Sequence, residues 1–170
     1  MDEATKSKLD AIFAKDAALK LDVQNKRDLE AEAQARFLAQ YVSYREATLL
    51  PALEEFGDYV RAKGWTVKVT HGEDQPSSVD GQGRMREQGQ QASGRIEYIR
   101  PGDENIGAAQ GHAFVQFKCE KSTRTVGTHQ STISPGRGGS TGGGKSYSIE
   151  NLNHAAIHVV LAEHFSQLFR

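Results

Sequence analysis

The stretch GWTVKVTH (64–71) decides the fold. Trp65, Val67 and Val69 fall on one side of an extended chain, and Thr66, Lys68 and Thr70 on the other. That period of two gives an apolar and a polar face only in a β-strand. Gly64 follows Lys63, the arrangement of a helix that ends on a glycine with a cation in its last turn. The chain therefore passes from helix to strand at this point.

Downstream, RIEYIR (95–100) and HAFVQFKCE (112–120) are further strand candidates. In the second, Ala113, Val115, Phe117 and Cys119 share a face that reads as the core side of a half-covered sheet. A fourth strand is expected in TRTVGTHQSTI (123–133), and a short fifth in KSYSIE (145–150). No helical pattern separates them, so they should pair antiparallel. The final segment, NHAAIHVVLAEHFSQLF (153–169), reads as a helix capped by Asn153, with Ile157, Val160, Leu161, Phe165 and Leu168 as its apolar stripe.

Upstream of Gly64 there is one glycine (Gly57) and one proline (Pro51), and Ala, Leu, Glu, Lys and Arg dominate. These residues lose least on entering a helix. The patch LDVQNK (21–26) could interrupt the run, with Asp22 or Asn25 capping a new start. Pro51 either opens a second helix or kinks one long one. The expected class is α+β: N-terminal helices, a four- or five-stranded antiparallel sheet with long loops, and a C-terminal helix packed on the sheet. Residues 1–63 form the helical segment and residues 64–170 the sheet with its helix, together one folding unit, as 170 residues allow.

Two polar segments, 72–94 and 134–145, read as long connections; six of the 17 glycines fall in positions 136–144. The string GSTGGGKS (139–146) satisfies the phosphate-loop pattern G-x-x-x-x-G-K-[ST]. A working loop of that kind needs an apolar parallel strand before it, a helix starting at Lys-Ser, and a distant carboxylate for Mg²⁺. Here the preceding GTHQSTISPGR is polar and the following YSIENLN reads as extended. The string is accordingly read as the end of a hairpin loop, with Lys145 its one candidate for an anion.

Other chemistry-bearing residues are scattered. His154 and His158 stand one helical turn apart, the spacing of two metal ligands, but Ala155 replaces the glutamate of the zinc-protease pattern. They are weak metal candidates, and no metal or other cofactor is called for. HGED (71–74) places two carboxylates beside an imidazole, and Phe114, with Tyr98 as companion, could offer a base-stacking surface. Cys119 reads as a small buried hydrophobe. No complete catalytic constellation is visible, and the expectation is a protein without catalytic activity.

The formal net charge is −1, which excludes a chain that binds nucleic acid by its overall charge. Between Arg84 and Lys145, however, nine basic residues face five acidic ones. The preferred function is a small cytoplasmic binding module that self-associates, or meets a protein partner, through its N-terminal helices. Leu9, Ile12, Phe13 and Leu19 would form the contact stripe. The alternative is binding of nucleic acid, a nucleotide or another anion through Arg84, Arg86, Arg124, Arg137 and Lys145. A single cysteine, no apolar run near the ~20 residues of a membrane span and an acidic, unsignalled N-terminus support a cytoplasmic expectation with no membrane partner.

Overall fold

The computed structural model describes residues 2–79, 82, 85–87, 89–104 and 111–169. The composition changes at Gly64, whereas the compact units are Met1–Phe37 and Leu38–Arg170. Helix α1 spans Glu3–Tyr44 and supplies nearly all of the first unit. The Asp2 carboxylate accepts the Thr5 amide at 2.7 Å and so caps the first turn. LDVQNK does not interrupt the helix. Asp22 pairs with Lys26 at 2.8 Å and Gln24 bonds Asp28 at 2.8 Å, both one turn on. Neither Asp22 nor Asn25 starts a new helix.

In the second unit the helical path continues through a π-helical turn, Arg45–Leu49, into α2, Leu50–Arg61. Two features of the sequence favour the wide turn. Tyr41, Arg45, Leu49, Leu53 and Gly57 are all buried at intervals of four, and each such step drifts about 40° around an α-helix. A wider turn takes up part of that drift. Pro51 also lacks an amide, while the amide of Leu50 reaches back to the carbonyl of Arg45. Pro51 thus lies in the first turn of α2.

The main sheet has five antiparallel strands: β1 (Thr66–Gly72), β4 (Ser93–Ile99), β5 (Ala113–Glu120), β6 (Thr125–Ser131) and β7 (Thr141–Tyr147), in the order β1-β4-β5-β6-β7. The register sets Val67 opposite Tyr98, Ile96 opposite Val115, and Cys119 opposite Val126, all buried. The alternation read in HAFVQFKCE holds from Ala113 to Glu120: the odd positions are buried and the even ones half-buried. Gly94 allows a close helix-to-sheet approach, since a Cβ there would lie 2.9 Å from Leu49 Cδ2.

Helix α3, His154–Gln167, covers the same face. Its Asn153 cap accepts the Ala156 amide at 3.0 Å, as expected. His164 Nε2 donates to the Ser131 carbonyl at 3.0 Å, and its ring stacks on Tyr98 with centroids 5.9 Å apart. From the helical side, the Tyr41 hydroxyl donates to Phe117 O at 2.8 Å and that of Tyr44 to Leu152 O at 2.7 Å. No helix among the described residues is long and apolar enough to cross a membrane.

The two polar segments hold more structure than their composition suggests. Within 72–94, the short strands β2 (Ser78–Val79) and β3 (Met85–Glu87) pair antiparallel, and Gln75 and Gln90 exchange backbone bonds of 2.7 and 2.8 Å. Within 134–145, the chain turns tightly where the Ser134 amide meets Gly138 O at 3.0 Å, and β7 begins at Thr141. The expected strand KSYSIE therefore starts four residues early, and most of GSTGGGKS is strand. Pairing with β6 overrides the poor strand propensity of glycine. Gly144 is needed there, because a Cβ would collide with the Thr128 hydroxyl.

Candidate functional site

The side chains of α1 form the first candidate surface. Every described residue from 2 to 32 is exposed. Leu9, Ile12, Phe13 and Leu19 are 37%, 61%, 67% and 57% exposed, and Val23 continues their side of the helix at 47%. Leu21 and Leu29 are exposed as well, but on other sides. Three carboxylate-to-cation pairs at i,i+4 (Asp16–Lys20, Asp22–Lys26 and Glu32–Arg36) line the helix. Such pairs are worth roughly 0.2–0.5 kcal/mol each in isolated helices, so they do not replace the burial of an apolar face.

Of the five basic residues read as an anion surface, Arg124, Arg137 and Lys145 have described side chains, and they stand at separate places along β6 and β7. Arg84 lies outside the described residues, and Arg86 is described in its backbone only. Arg124 stands in the turn before β6 with φ +54, and Arg137 in the turn after β6. A seven-residue strand separates them, about 20 Å at the usual rise per residue. Lys145 extends from the middle of β7, where its carbonyl accepts the Thr128 hydroxyl at 2.9 Å. Arg137 instead shares a cleft of about 540 Å³ with Arg100, Thr132 and Ser134. Arg100 donates through Nη2 to the carbonyl of Leu168, while its Nε is buried with no partner among the described residues. Arg100 gave no signal in the sequence beyond its place at a strand end.

The stacking surface divides between two faces. Tyr98 is 1% exposed on the helix-covered side, whereas Phe114 lies opposite Glu97 on the other side. The Arg95 guanidinium sits 3.8 Å from the Phe114 ring centroid, and His129 meets that ring edge-on at 5.4 Å. Burial, helped by Lys118 and Arg95, keeps the His129 imidazole below its usual range and so favours the neutral ring. The carboxylates of HGED are tied to cations. Glu73 pairs with Arg45 at 2.7 Å, and Asp74 with Lys121 at 2.8 Å.

The histidine pair gains a neighbour that its spacing does not reveal. His154 and His158 stand on one face of α3 with ring centroids 4.7 Å apart. Glu55 of α2 brings a carboxylate oxygen to 3.4 Å from His154 Nε2. One donor atom of each of the three residues lies within 4.8 Å of the others. His158 Nε2 is 3.0 Å from the Ala52 carbonyl. A carbonyl only accepts, so Nε2 carries the proton of the neutral ring and Nδ1 carries the lone pair. His71, His112 and His129 do not join this cluster.

Comparison of the chain with family models, curated proteins and solved structures finds no match.

Proposed function

We propose that this chain is a non-catalytic interaction module that forms homodimers through the apolar stripe of α1. The carrying observation is the exposure of Leu9, Ile12, Phe13, Leu19 and Val23 on one side of a continuous helix. A second copy suits this surface on two grounds. Residues 2–36 carry seven Lys/Arg and eight Asp/Glu, so identical helices do not repel through net charge. The stripe is also symmetric about Asp16: Leu9 matches Val23, and Phe13 matches Leu19. That symmetry suits a two-fold, antiparallel contact in which the same patch serves both copies. The lone, buried Cys119, whose thiol is pushed up to about 11 by burial, suits a reducing, cytoplasmic setting.

Light scattering coupled to size exclusion tests this reading at tens to hundreds of micromolar protein. The full chain is expected at twice its mass, and the double variant Ile12→Glu/Phe13→Glu at the single mass with unchanged helix content. A monomeric parent, or a variant that keeps the dimer mass, refutes it.

A second reading is favoured by the Arg100–Arg137 cleft and its glycine-rich rim. The cleft sets the guanidinium-bearing Arg100 and Arg137 side by side, a pairing that suits a phosphate. Calorimetric titration with ATP and with single-stranded DNA at low salt tests it. Binding should weaken with added salt and with Arg137→Ala, and no heat at millimolar ligand removes the reading.

A further inference from the structure

We infer that Glu55, His154 and His158 form a binding site for a divalent transition metal ion of the zinc type. Two imidazoles and one carboxylate are the donor set of a borderline-soft cation such as Zn²⁺, Co²⁺ or Ni²⁺; they do not suit Mg²⁺ or Ca²⁺, which take all-oxygen shells.

Three independent features support the site. The first is spacing: a helix presents residues i and i+4 on one face, and the two rings already stand 4.7 Å apart. The second is separation. Donor atoms bound tetrahedrally at about 2.0–2.1 Å from one ion stand about 3.4 Å from each other. His154 Nε2 and Glu55 Oε2 are 3.4 Å apart, and one ligand atom of each of the three residues lies within 4.8 Å of the others, close to the separations a bound ion needs. The third is the fixed tautomer of His158. Metal-binding histidines commonly donate their other ring N–H to a carbonyl or carboxylate, which orients the ring and selects the donor nitrogen. Here the Ala52 carbonyl takes the Nε2 proton and leaves Nδ1 as donor.

Glu55 and Ala52 both belong to α2, and both histidines to α3. An ion bound here would tie the two helices covering the sheet. His154 and Glu55 keep 44% and 67% of their side-chain surface, so water can complete a four-coordinate shell. This site is independent of self-association by α1.

Titration of the full chain with ZnCl2, followed by calorimetry and by thermal unfolding, tests the inference. One zinc ion per chain is expected to bind with micromolar affinity and to raise Tm, while MgCl2 does neither. His154→Ala and Glu55→Gln should each weaken zinc binding at least tenfold and leave the metal-free Tm within about 2 °C. Both side chains are substantially exposed, so these variants test binding without losing the fold. Cobalt substitution should give visible d–d absorption in the parent and lose it in His158→Ala. Absence of zinc binding at 100 µM overturns the inference. So does binding that survives both His154→Ala and Glu55→Gln, which would place the ion elsewhere.

Discussion

Replacing Arg45 by methionine tests whether the HGED segment serves the fold. The Arg45 side chain is 3% exposed, yet it carries a full charge. Burial opposes that charge, but Glu73 and Glu46 outweigh the opposition and hold the guanidinium protonated. Nη1 donates to the Gly72 carbonyl at 2.8 Å, Nη2 to Glu73 at 2.7 Å, and Nε to Glu46 at 3.0 Å. Arg45→Met keeps most of the volume and removes every donor. Glu46 and Glu73 are 55% and 59% exposed and rehydrate, so each lost pair costs about 0.2–1 kcal/mol. The abandoned carbonyl costs about 1–3 kcal/mol. Together these come to about 3 kcal/mol, or a fall in Tm of roughly 6–12 °C for a chain of this size. Thermal unfolding by circular dichroism reads the effect, with Glu46→Gln as a control expected to lose under about 1 kcal/mol. The reasoning fails if Arg45→Met costs less than about 1 kcal/mol, or if Glu46→Gln costs as much.

Three further predictions rest on single contacts. Gly94→Ala should destabilise the protein by about 1–3 kcal/mol in urea unfolding, because its new methyl meets Leu49 at 2.9 Å. His164 is held below its ordinary range by burial, partly offset by its bond to Ser131, so the folded ring takes up its proton at lower pH than the unfolded ring, which protonates near pH 6.5. The unfolded state therefore binds more protons as pH falls through that value, and stability should drop from pH 7.5 to 5.5, with a shallower drop in His164→Gln. The Cys119 thiol, buried and pushed up to about 11, should react with a disulfide reagent only after denaturation, as followed by absorbance of the released thiolate.

What could be read from the sequence followed the reach of each signal. Alternation in Trp65–Val69 and Ala113–Cys119 is local and repeated, so it marked two strands and their core faces correctly. The Asn153 cap was legible for the same reason, one residue acting on its neighbours, whereas α2 ends at Arg61 with Ala62 as its cap and Gly64 follows two residues later with φ +90. Strand β7 was misplaced because residues 142–144 have no side chains to alternate, and the pairing that extends them comes from β6. The π turn left no motif, only a buried residue at every fourth position followed by a proline. The candidate sites were harder still. Two of the three residues of the proposed metal site, the i,i+4 pair, were visible, but Glu55 and Ala52 belong to another helix, and Ala52 is 106 residues away from His158. Only packing could bring them together.

Strand β7 has a consequence for how this sheet keeps its alignment. Three consecutive glycines at a sheet edge contain no record of which residue should face which neighbour. That information resides in β6. Thr128 holds the Lys145 carbonyl at 2.9 Å and leaves room only for Gly144, while the Gln130 carbonyl receives the Thr141 hydroxyl at 3.3 Å. The edge strand is thus addressed by its neighbour rather than by its own letters. A stretch that resembles a nucleotide motif in print owes the last of its glycines, in the folded chain, to a threonine across the ladder.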